Sequence, residues 1–499
     1  MAKPLQSIAI QAPGFFGLNS EDSPTSLTEQ FALVAENCVI DQFGRIGARK
    51  GWSYLNQDAT DSIVSLGEFI DNSGASNIIS TTGASIYVGK NSLTDITPPS
   101  HSIGVGNYAH ASFNNEHYMF EKGEAPLYYD GTTCDLIENH PDYSGTVPKG
   151  NVVVAAFGRL WVANTDTNNH TVYWSDLLIG VSWDTGSSGS IDVSKVWPDG
   201  TDEIVALASH NNFLIIFGKR QILVYQGASD PATMSLADTI VGVGCIARDS
   251  IQSTGADLLF LSDAGIGSFN RVIQERSLPI RDISKNVRTQ FMNEIRAELG
   301  NIKTVYSQEE AFYLVKLPNL GITWCFDTRA PLQDGSFRTT QWSGFSGTAF
   351  LRDNAGDLII GLSDGLGTYN GYSDNGAFYL MSYFTNYIDF GVPSNLKLLK
   401  NLKITVIGGS ATDVTLNWGY DYSYAYKKKK FTLTTQLIAE YNVAEYNEGE
   451  FNAGVLVNRP TVNASGGGQV VQLGIEAEVN GAPVSIQRLT AQAIVGRTI

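Results

Sequence analysis

The sequence predicts an all-β fold, and three observations carry this prediction. The first is the stretch from Glu203 to Gln226, in which three apolar runs of strand length are separated by turn residues, as in an antiparallel meander. The second is a composition with 50 glycines, 11% aromatic and 17% charged residues, which is typical of a turn-rich β protein. The third is that similar turns recur about 42 to 53 residues apart, near Asn72, Asn114, Gly158, Gly255, Gln308 and Asn354.

These repeats indicate a β-propeller, because a lone meander cannot bury both of its faces and the interval suits one four-stranded blade. We expect about seven blades over residues 61–390, built from apolar runs with the two-residue period of half-buried strands. Residues 1–60 are expected to form an N-terminal arm and hairpin. Residues 391–499 are expected to form a C-terminal β-sandwich-like domain, because six further strand patterns follow there.

One interruption of the propeller has helical spacing. Val287, Phe291, Ile295 and Leu299 recur every four residues, which predicts an inserted helix near 284–299. Ser284 is the expected N-cap, and Gly300 ends the pattern. The helix either packs on an edge of the propeller or docks a partner.

The charge is strongly acidic and unevenly placed. The formal net charge is −17, and the isoelectric point is about 4.8. Residues 1–395 hold 42 acids against 23 bases, whereas residues 396–499 hold eight acids against ten bases. A protein that grips nucleic acid through its phosphates needs clustered Lys and Arg, so this balance argues against tight DNA binding.

The cysteines and the N-terminus bear on the compartment. The four cysteines are far apart in the sequence, without a CxxC pair or a disulfide framework, and are expected to be buried small hydrophobes in a reducing cytoplasm: Cys38, Cys134, Cys245 and Cys325. The first residues contain no apolar leader, and no apolar run reaches the length of a membrane span. We therefore expect a soluble, unexported product.

Two basic stretches are candidate partner contacts. The hairpin predicted around Cys38 to Trp52 carries Arg45, Arg49 and Lys50 at its end, and it is either a partner contact, a solvated hairpin or a strand that closes the propeller. In the C-terminal part, four tyrosines are expected to alternate along one strand face before four lysines: Tyr420, Tyr422, Tyr424, Tyr426, Lys427, Lys428, Lys429 and Lys430. Aromatic and basic side chains together can bind nucleic acid, but lysines that keep a hairpin tip soluble explain the same residues.

A short tandem repeat follows the lysines at 439–452, with the units Ala-Glu-Tyr-Asn, Ala-Glu-Tyr-Asn and Gly-Glu-Phe-Asn. It is acidic and aromatic, of a kind also seen in virion proteins. We assign it no separate chemistry.

No catalytic or metal pattern is evident in the sequence. Ser262-Asp263 and Ser363-Asp364 resemble the Asp-box turns of sialidases but lack the residue between Ser and Asp and the trailing Trp. The run 353–357 lacks most ligands of a calcium loop. The histidines have no zinc spacing: His101, His110, His117, His140, His170 and His210. We therefore predict no enzyme activity, no cofactor and no metal.

Three early segments carry a resemblance to a known family. They read Asn-Ser-Glu-Asp-Ser-Pro at 19–24, Ala-Glu-Asn-Cys-Val-Ile-Asp at 35–41 and Gly-Arg-Ile-Gly-Ala-Arg-Lys-Gly-Trp at 44–52. Together with the propeller-like body and the short C-terminal β-domain, they resemble the tail hub, or nozzle, of short-tailed bacteriophages, also called the packaged DNA stabilisation protein. The resemblance covers most of the chain in layout.

The resemblance implies a structural virion protein in the phage tail, made in the cytoplasm of the bacterial host. It implies a homohexameric ring under the portal and the head-to-tail adaptor protein, with tail fibres or a tip protein attached. Its channel would hold back packaged duplex DNA and pass it during ejection without tight binding. The alternative is a propeller monomer that binds or cleaves glycans, as an adhesin or a glycosidase.

Overall fold

A computed structural model describes residues 5–24, 26–99, 101–275, 282–434, 437–438 and 455–498. Its N-terminal part contains six strands: β1 (Leu5–Gln11), β2 (Gly17–Leu18), β3 (Phe31–Glu36), β4 (Cys38–Ile40), β5 (Ile46–Ala48) and β6 (Trp52–Asn56). The predicted hairpin is present as β4 and β5, in which Cys38 pairs with Ala48 and Ile40 with Ile46. Its turn forms because the Asp41 carboxylate accepts the backbone N–H groups of Phe43 and Arg45.

The middle of the chain forms a β-propeller. Blade 1 contains β7 (Ser65–Ile70), β8 (Ser76–Thr81), β9 (Ile86–Val88) and β10 (Thr94–Asp95). Blade 2 contains β11 (Ala109–Phe113), β12 (Glu116–Phe120), β13 (Leu127–Tyr129) and β14 (Cys134–Leu136). Blade 3 contains β15 (Gly150–Ala156), β16 (Arg159–Thr165), β17 (Thr171–Trp174) and β18 (Gly189–Asp192).

Blade 4 contains the meander of the sequence analysis: β19 (Ile204–His210), β20 (Phe213–Gly218), β21 (Gln221–Gln226) and β22 (Ser235–Val241). Blade 5 has three strands: β23 (Gln252–Ser253), β24 (Leu258–Ser262) and β25 (Gly265–Ser268). Two helices follow it: α1 (Phe269–Glu275) and α2 (Arg288–Ala297). Four single 3-10 turns complete the helical part: 137–139, 231–233, 248–250 and 285–287.

The last two units close the circle. The first, here called the fused unit, contains β26 (Lys303–Ser307), β27 (Phe312–Leu317), β28 (Ile322–Asp327) and β29 (Arg338–Ser343). The closing blade contains β30 (Ala349–Arg352), β31 (Leu358–Gly361) and β32 (Leu366–Tyr369), and β6 from the N-terminal part is its fourth strand. The inner strands lie side by side: β7 contacts β30 and β11, and β26 contacts β23 and β30.

The blade count differs from the expected seven. The described residues form six separate blade sheets, five with four strands and one with three. The fused unit has the size of a blade, but its strand β29 continues into β2 and β3 as part of a ten-stranded sheet. The expectation of about seven blades is thus one too high for separate sheets, because the repeat spacing does not reveal that one unit is joined to strands from the N-terminus.

The remaining strands are β33 (Tyr379–Ile388), β34 (Asn395–Gly408), β35 (Asp413–Tyr420), β36 (Lys427–Thr432), β37 (Leu437–Ile438), β38 (Val455–Asn458), β39 (Thr461–Asn463), β40 (Gly467–Gly468), β41 (Val471–Val479) and β42 (Val484–Thr498). Some extend the ten-stranded sheet in the order β2-β3-β33-β41-β35-β36. Others form a nine-stranded sheet around β34 and β42 with β1, β4 and β5. The division of the chain at residues 60 and 390 into separate domains stays a prediction.

Apolar clusters fill the spaces between neighbouring units. Successive side chains of a strand point to opposite faces of its sheet, so a strand can contribute to the cluster on either side. Phe69 of blade 1 packs with Met119 of blade 2, and Ile63 packs with Ile359 of the closing blade. A larger cluster joins the fused unit, blade 5, α2 and both large sheets, and it includes Ile10, Leu261 and Leu489. The two ends of the chain therefore share one core with part of the propeller.

Helix α2 lies inside the range predicted for it and packs on the fused unit. Phe291, Met292 and Ile295 are buried, and the Phe291 ring centroid lies 5.6 Å from that of Trp324. The predicted N-cap is wrong, because Ser284 makes no capping hydrogen bond. Its hydroxyl instead donates to Asp282 at 2.8 Å and accepts the backbone N–H of Ile266 at 3.2 Å.

The cysteines agree with their prediction, since all four are free and buried. Burial raises the pKa of the Cys134 thiol to about 12 and of the Cys245 thiol to about 11, which disfavours the reactive thiolate. None of the helices in the described part of the chain is long and apolar enough to cross a bilayer.

Candidate functional site

The inner strands of the propeller enclose an axial pocket of about 500 Å³. The strands β7, β11, β15, β19, β23, β26 and β30 all contribute to its wall. Most of the wall is aliphatic, but Arg248, Asp249, Lys303 and Arg352 also line it. A central pocket with a few convergent polar groups is where a propeller would hold a small ligand.

A charged cluster made of Arg248, Asp249 and Lys303 bridges the axis between distant blades. Arg248 precedes β23, and its guanidinium donates to the backbone carbonyls of Asn107 at 3.1 Å and Asn151 at 3.0 Å. It also donates through Nε to Asp249 Oδ1 at 2.5 Å. Lys303 Nζ donates to Asp249 Oδ2 and to Asn107 Oδ1, both at 2.7 Å. The Arg248 side chain thereby connects the start of blade 5 to blades 2 and 3.

The electrostatics of the axial cluster favour its ion pairs. Burial alone would raise the pKa of Asp249, but Arg248 and Lys303 outweigh that effect and hold the pKa well below its ordinary value. Burial lowers the pKa of Lys303, and Asp249 opposes this shift. All five N–H donors of Arg248 are used inside the cluster, so its hydrogen bonding serves the fold.

His117, which is buried, and His110, which is partly buried and lines the pocket, form a hydrogen-bonded chain. His110 Nδ1 lies 2.9 Å from His117 Nε2, and His117 Nδ1 lies 2.9 Å from Ser112 Oγ. Ser112 donates to the carbonyl oxygen of Glu68, which can only accept. We therefore assign the proton to Nδ1 of both rings, so that His110 Nε2 accepts from Ser65 at 2.9 Å.

Both rings are held in the neutral form. Burial lowers the pKa of His117 to about 3. Burial, followed by His117 and Arg248, lowers the pKa of His110 well below its ordinary value. The search for histidines at the spacing of zinc-binding motifs did not reveal this pair. The signal was the tight turn at Asn114-Asn115, which places Ser112 opposite His117 across a hairpin.

The N-terminal candidates, Arg45, Arg49 and Lys50, bind residues of the same chain. Arg49 is fully buried and forms two hydrogen bonds with the Asp374 carboxylate, at 2.8 and 2.7 Å. Its guanidinium carbon lies 4.1 Å from the centroid of the Tyr379 ring.

The other two members of this group also have partners within the chain. Arg45 is buried and pairs with Asp41 at 2.7 Å. Lys50 is partly exposed and pairs with Glu310 at 2.7 Å. Burial opposes its charge, but Glu310 and Glu309 outweigh that effect and raise the pKa of Lys50. A partner contact through these residues stays a prediction.

The C-terminal candidates lie on a loop and on a sheet edge. The predicted stripe of tyrosines along one strand face is wrong, because β35 ends at Tyr420 and β36 begins at Lys427. Asp421 and Tyr422 have left-handed φ angles of 50° and 60°, and the Asp421 carboxylate accepts the backbone N–H of Gln469 at 2.6 Å. These features turn the chain and end the alternation.

The tyrosines and lysines consequently have different surroundings. Tyr424 is 88% exposed, whereas Tyr426 donates to Gln472 and packs on Phe384. Lys427, Lys428, Lys429 and Lys430 open the edge strand β36, and all four are exposed. Charged residues on an edge strand prevent unwanted pairing. The tandem repeat at 439–452 lies outside the described residues.

A metal centre has no support in the described part of the chain. No group of three or more His, Cys, Asp or Glu side chains there is placed to hold a metal ion. The absence of enzyme activity stays a prediction.

Comparisons with known proteins add little beyond fold. No protein-family model and no curated protein matches the sequence. Similar solved structures include the extracellular domain of BT4673 from B. thetaiotaomicron, with 10% identity, 68% of this chain and 46% of that chain covered, and a TM-score of 0.40. This chain thus spans less than half the length of that protein.

Two further structures are similar at the same level. BamB from Moraxella catarrhalis is 12% identical, with 73% of this chain and 99% of that chain covered and a TM-score of 0.38. The WD40 domain of Neurospora crassa Pan2 is 8% identical, with 65% and 95% covered and a TM-score of 0.37. Likeness at this level carries no argument about function, and the propeller assignment rests on the strand pairing described above.

Proposed function

We propose that this protein is a structural component of a short phage tail, a nozzle or hub subunit that assembles into a ring. The observation that carries the proposal is the position of the segments that resemble such proteins. Residues 35–41 and 44–52 contain β4 and β5 of the nine-stranded sheet and lead directly into β6, the strand that completes the propeller. The resembling segments thus form the seam between the propeller and the sheets built from both chain ends.

The size of the axial pocket favours a propeller that forms part of the ring wall over a propeller through which DNA passes. Its volume is about 500 Å³, and the axial cluster of Arg248, Asp249 and Lys303 spans it. A DNA duplex cannot pass through such a space. In the proposed ring, DNA therefore passes along an axis between subunits, and each propeller is part of the wall.

Imaging of the purified protein tests the proposal. We expect electron micrographs to show closed rings, six-fold as the resemblance implies, with a central opening wide enough for a duplex. A monomer that binds or cleaves glycans would contradict the proposal and would favour the adhesin or glycosidase alternative. A glycan-binding screen on the same preparation separates the two.

A titration with duplex DNA tests whether the protein that forms the channel wall binds DNA. Residues 1–395 hold 42 acids against 23 bases, and a net negative wall repels the duplex and avoids phosphate contacts that must be broken as DNA moves. We expect no measurable affinity by fluorescence anisotropy at physiological salt. Micromolar binding that falls steeply with salt, and that is lost when Lys427 to Lys430 are changed to Ser, would place the basic strand on the DNA path.

A further inference from the structure

The edge strand β36 carries positive charge that the described part of the chain does not neutralise. Lys428 and Lys430 face carboxylates: Lys428 lies 3.7 Å from Glu476, and Lys430 lies 2.9 Å from Asp413. Among the residues that the structure describes, Lys427 binds the neutral Ser465, at 3.2 Å through the carbonyl oxygen. Among the described residues, no carboxylate pairs with Lys427 or Lys429. Tyr424, 88% exposed, lies beside them.

The rim of blades 2 and 3 has the opposite charge. Residues 122–195 hold nine acids against four bases, and one of these bases, Arg159, is buried. Three acids of this stretch, Glu138, Asp142 and Asp184, are exposed and have no ion-pair partner among the described residues. The segment that follows blade 2 meets the β17–β18 loop of blade 3 here, because Ser144 bridges to Ser182 and the backbone of Trp183 donates to the Ser144 carbonyl at 3.0 Å.

An exposed apolar tip lies at this acidic rim. Leu177, Leu178 and Ile179 are 49%, 57% and 41% exposed. Leu178 has a φ of 59°, which is costly for a residue with a bulky side chain. Its backbone is held there, since its N–H donates to the Gly158 carbonyl and its own carbonyl accepts from Asn114, both at 2.9 Å. The fold thus presents an apolar side chain to solvent from a strained position, a feature that points to a contact outside the chain.

From these two surfaces we infer a contact between copies of this chain. The Lys427 and Lys429 edge of one copy docks on the acidic rim of the next, with Tyr424 against the tip formed by Leu177 to Ile179. An apolar centre with a charged surround is the usual anatomy of a protein interface. The inference rests on the proposed ring and names the surfaces that build it.

Charge complementarity selects a second copy as the occupant. Basic residues are scarce in this chain, and the exposed lysines of β36 and the exposed acids of the rim are opposite in sign and lie on different elements. A contact between two different surfaces is heterologous, and it generates a ring when its rotation closes. In a closed ring, every copy uses both its basic edge and its acidic rim. In an open chain, the two end copies each leave one of these surfaces free.

Paired charge reversals test the contact. One variant carries Lys427→Glu with Lys429→Glu, and the other carries Glu138→Lys with Asp142→Lys. Each alone places like charges together, so we expect mass photometry to show at least a tenfold weaker assembly. Mixing the two variants, or combining all four changes in one chain, restores opposite charges and is expected to restore assembly. The matched control, Lys400→Glu with Lys403→Glu, changes two exposed lysines of β34 by the same charge and is expected to assemble like the wild type.

A change at Leu178 tests the apolar tip independently. Asn tolerates the left-handed conformation better than Leu, so Leu178→Asn is expected to leave the melting temperature equal or higher while assembly weakens. A merely structural role for Leu178 predicts the reverse, with lower stability and unchanged assembly.

For the charge-reversal variants, restored assembly on mixing also shows that each variant is folded.

The outcomes separate this inference from the proposed function. If the wild type forms rings and the charge variants form them equally well, or if mixing does not restore assembly, the contact is wrong and the ring proposal stands. If the wild type stays monomeric at every concentration and salt tested, both the ring and this contact are contradicted.

Discussion

Arg248 is the residue through which the propeller is braced across its axis. Its five hydrogen bonds reach Asp249 and two strand starts in other blades. Replacing it with Met leaves Asp249 and the Asn107 and Asn151 carbonyls short of a partner. We expect Arg248→Met to lower the free energy of unfolding by about 3 kcal/mol, as measured by urea denaturation.

The control for this prediction is Arg352→Met, at an exposed residue that also lines the axial pocket. We expect it to change stability by less than about 0.5 kcal/mol. Equal effects of the two substitutions would show that Arg248 does not brace the blades.

The neutral histidine pair makes the protein sensitive to acid. Unfolded histidine binds a proton below pH 6.5, whereas burial lowers the pKa of His117 to about 3 in the folded chain. The unfolded state therefore takes up more protons, and stability present above pH 6.5 is lost as the pH falls. Protonation at His117 is expected to cost about 1 kcal/mol per pH unit between 6.5 and 4, and the lowered pKa of His110 acts in the same direction.

Thermal melting at several pH values measures this effect. The variant His117→Asn is expected to lose less stability than the wild type between pH 7 and pH 5, because one titrating group is gone. Parallel curves for His117→Asn and the wild type would mean that the ring is charged in the folded state.

Individual side chains were the least predictable part of the molecule. Arg49 was a candidate partner contact because it was expected at the end of a basic hairpin, with a solvated hairpin as an alternative. Its partner Asp374 is 325 positions away in the sequence, and no local pattern reveals that pairing. Ser284 has the identity of a helix cap, but the nearby Asp282 and the backbone of Ile266 take its hydroxyl. Tertiary contacts decided both outcomes.

At the scale of elements, the strand β6 is the one that closes the propeller. It pairs with β32, so that Trp52 lies opposite Tyr369. Trp52 is 7% exposed, and its ring packs edge-on against Tyr54 with centroids 5.2 Å apart. We expect Trp52→Ala to lower the free energy of unfolding by about 3 to 5 kcal/mol, because it opens a large cavity at the seam.

Chemical denaturation followed by circular dichroism checks this prediction, with Ser53→Ala on the same strand as the control. A loss at Trp52 no larger than that at Ser53 would show that closure does not depend on packing at this strand.

The inner strands were predictable because each blade packs both faces against neighbours, so that they form short apolar runs bounded by turn residues. The three apolar runs of the meander, 204–208, 213–217 and 222–225, agree with β19, β20 and β21 to within one residue at five of their six ends. The tyrosine segment behaves differently. Its alternation is that of a strand, yet the Asp421 turn overrides it. The junction between β29 and β2 was equally hidden, since the two strands are more than 300 residues apart.

For the molecule as a whole, we propose that copies of the chain assemble into a ring. The structure contributes a propeller whose axial pocket is crossed by Arg248, Asp249 and Lys303, two large sheets made from both chain ends, and two exposed surfaces of opposite charge. The channel of such a ring was not predictable from one chain, because it lies between copies.

The mass of the purified protein in solution tests this claim most directly. Light scattering coupled to gel filtration, at low and at physiological salt, compares the assembly with the 54.0 kDa chain. We predict a closed assembly several-fold heavier than the chain, six-fold as the family resemblance implies, that weakens as salt screens the contact. A single species at the mass of one chain, under every concentration and salt tested, would contradict the account.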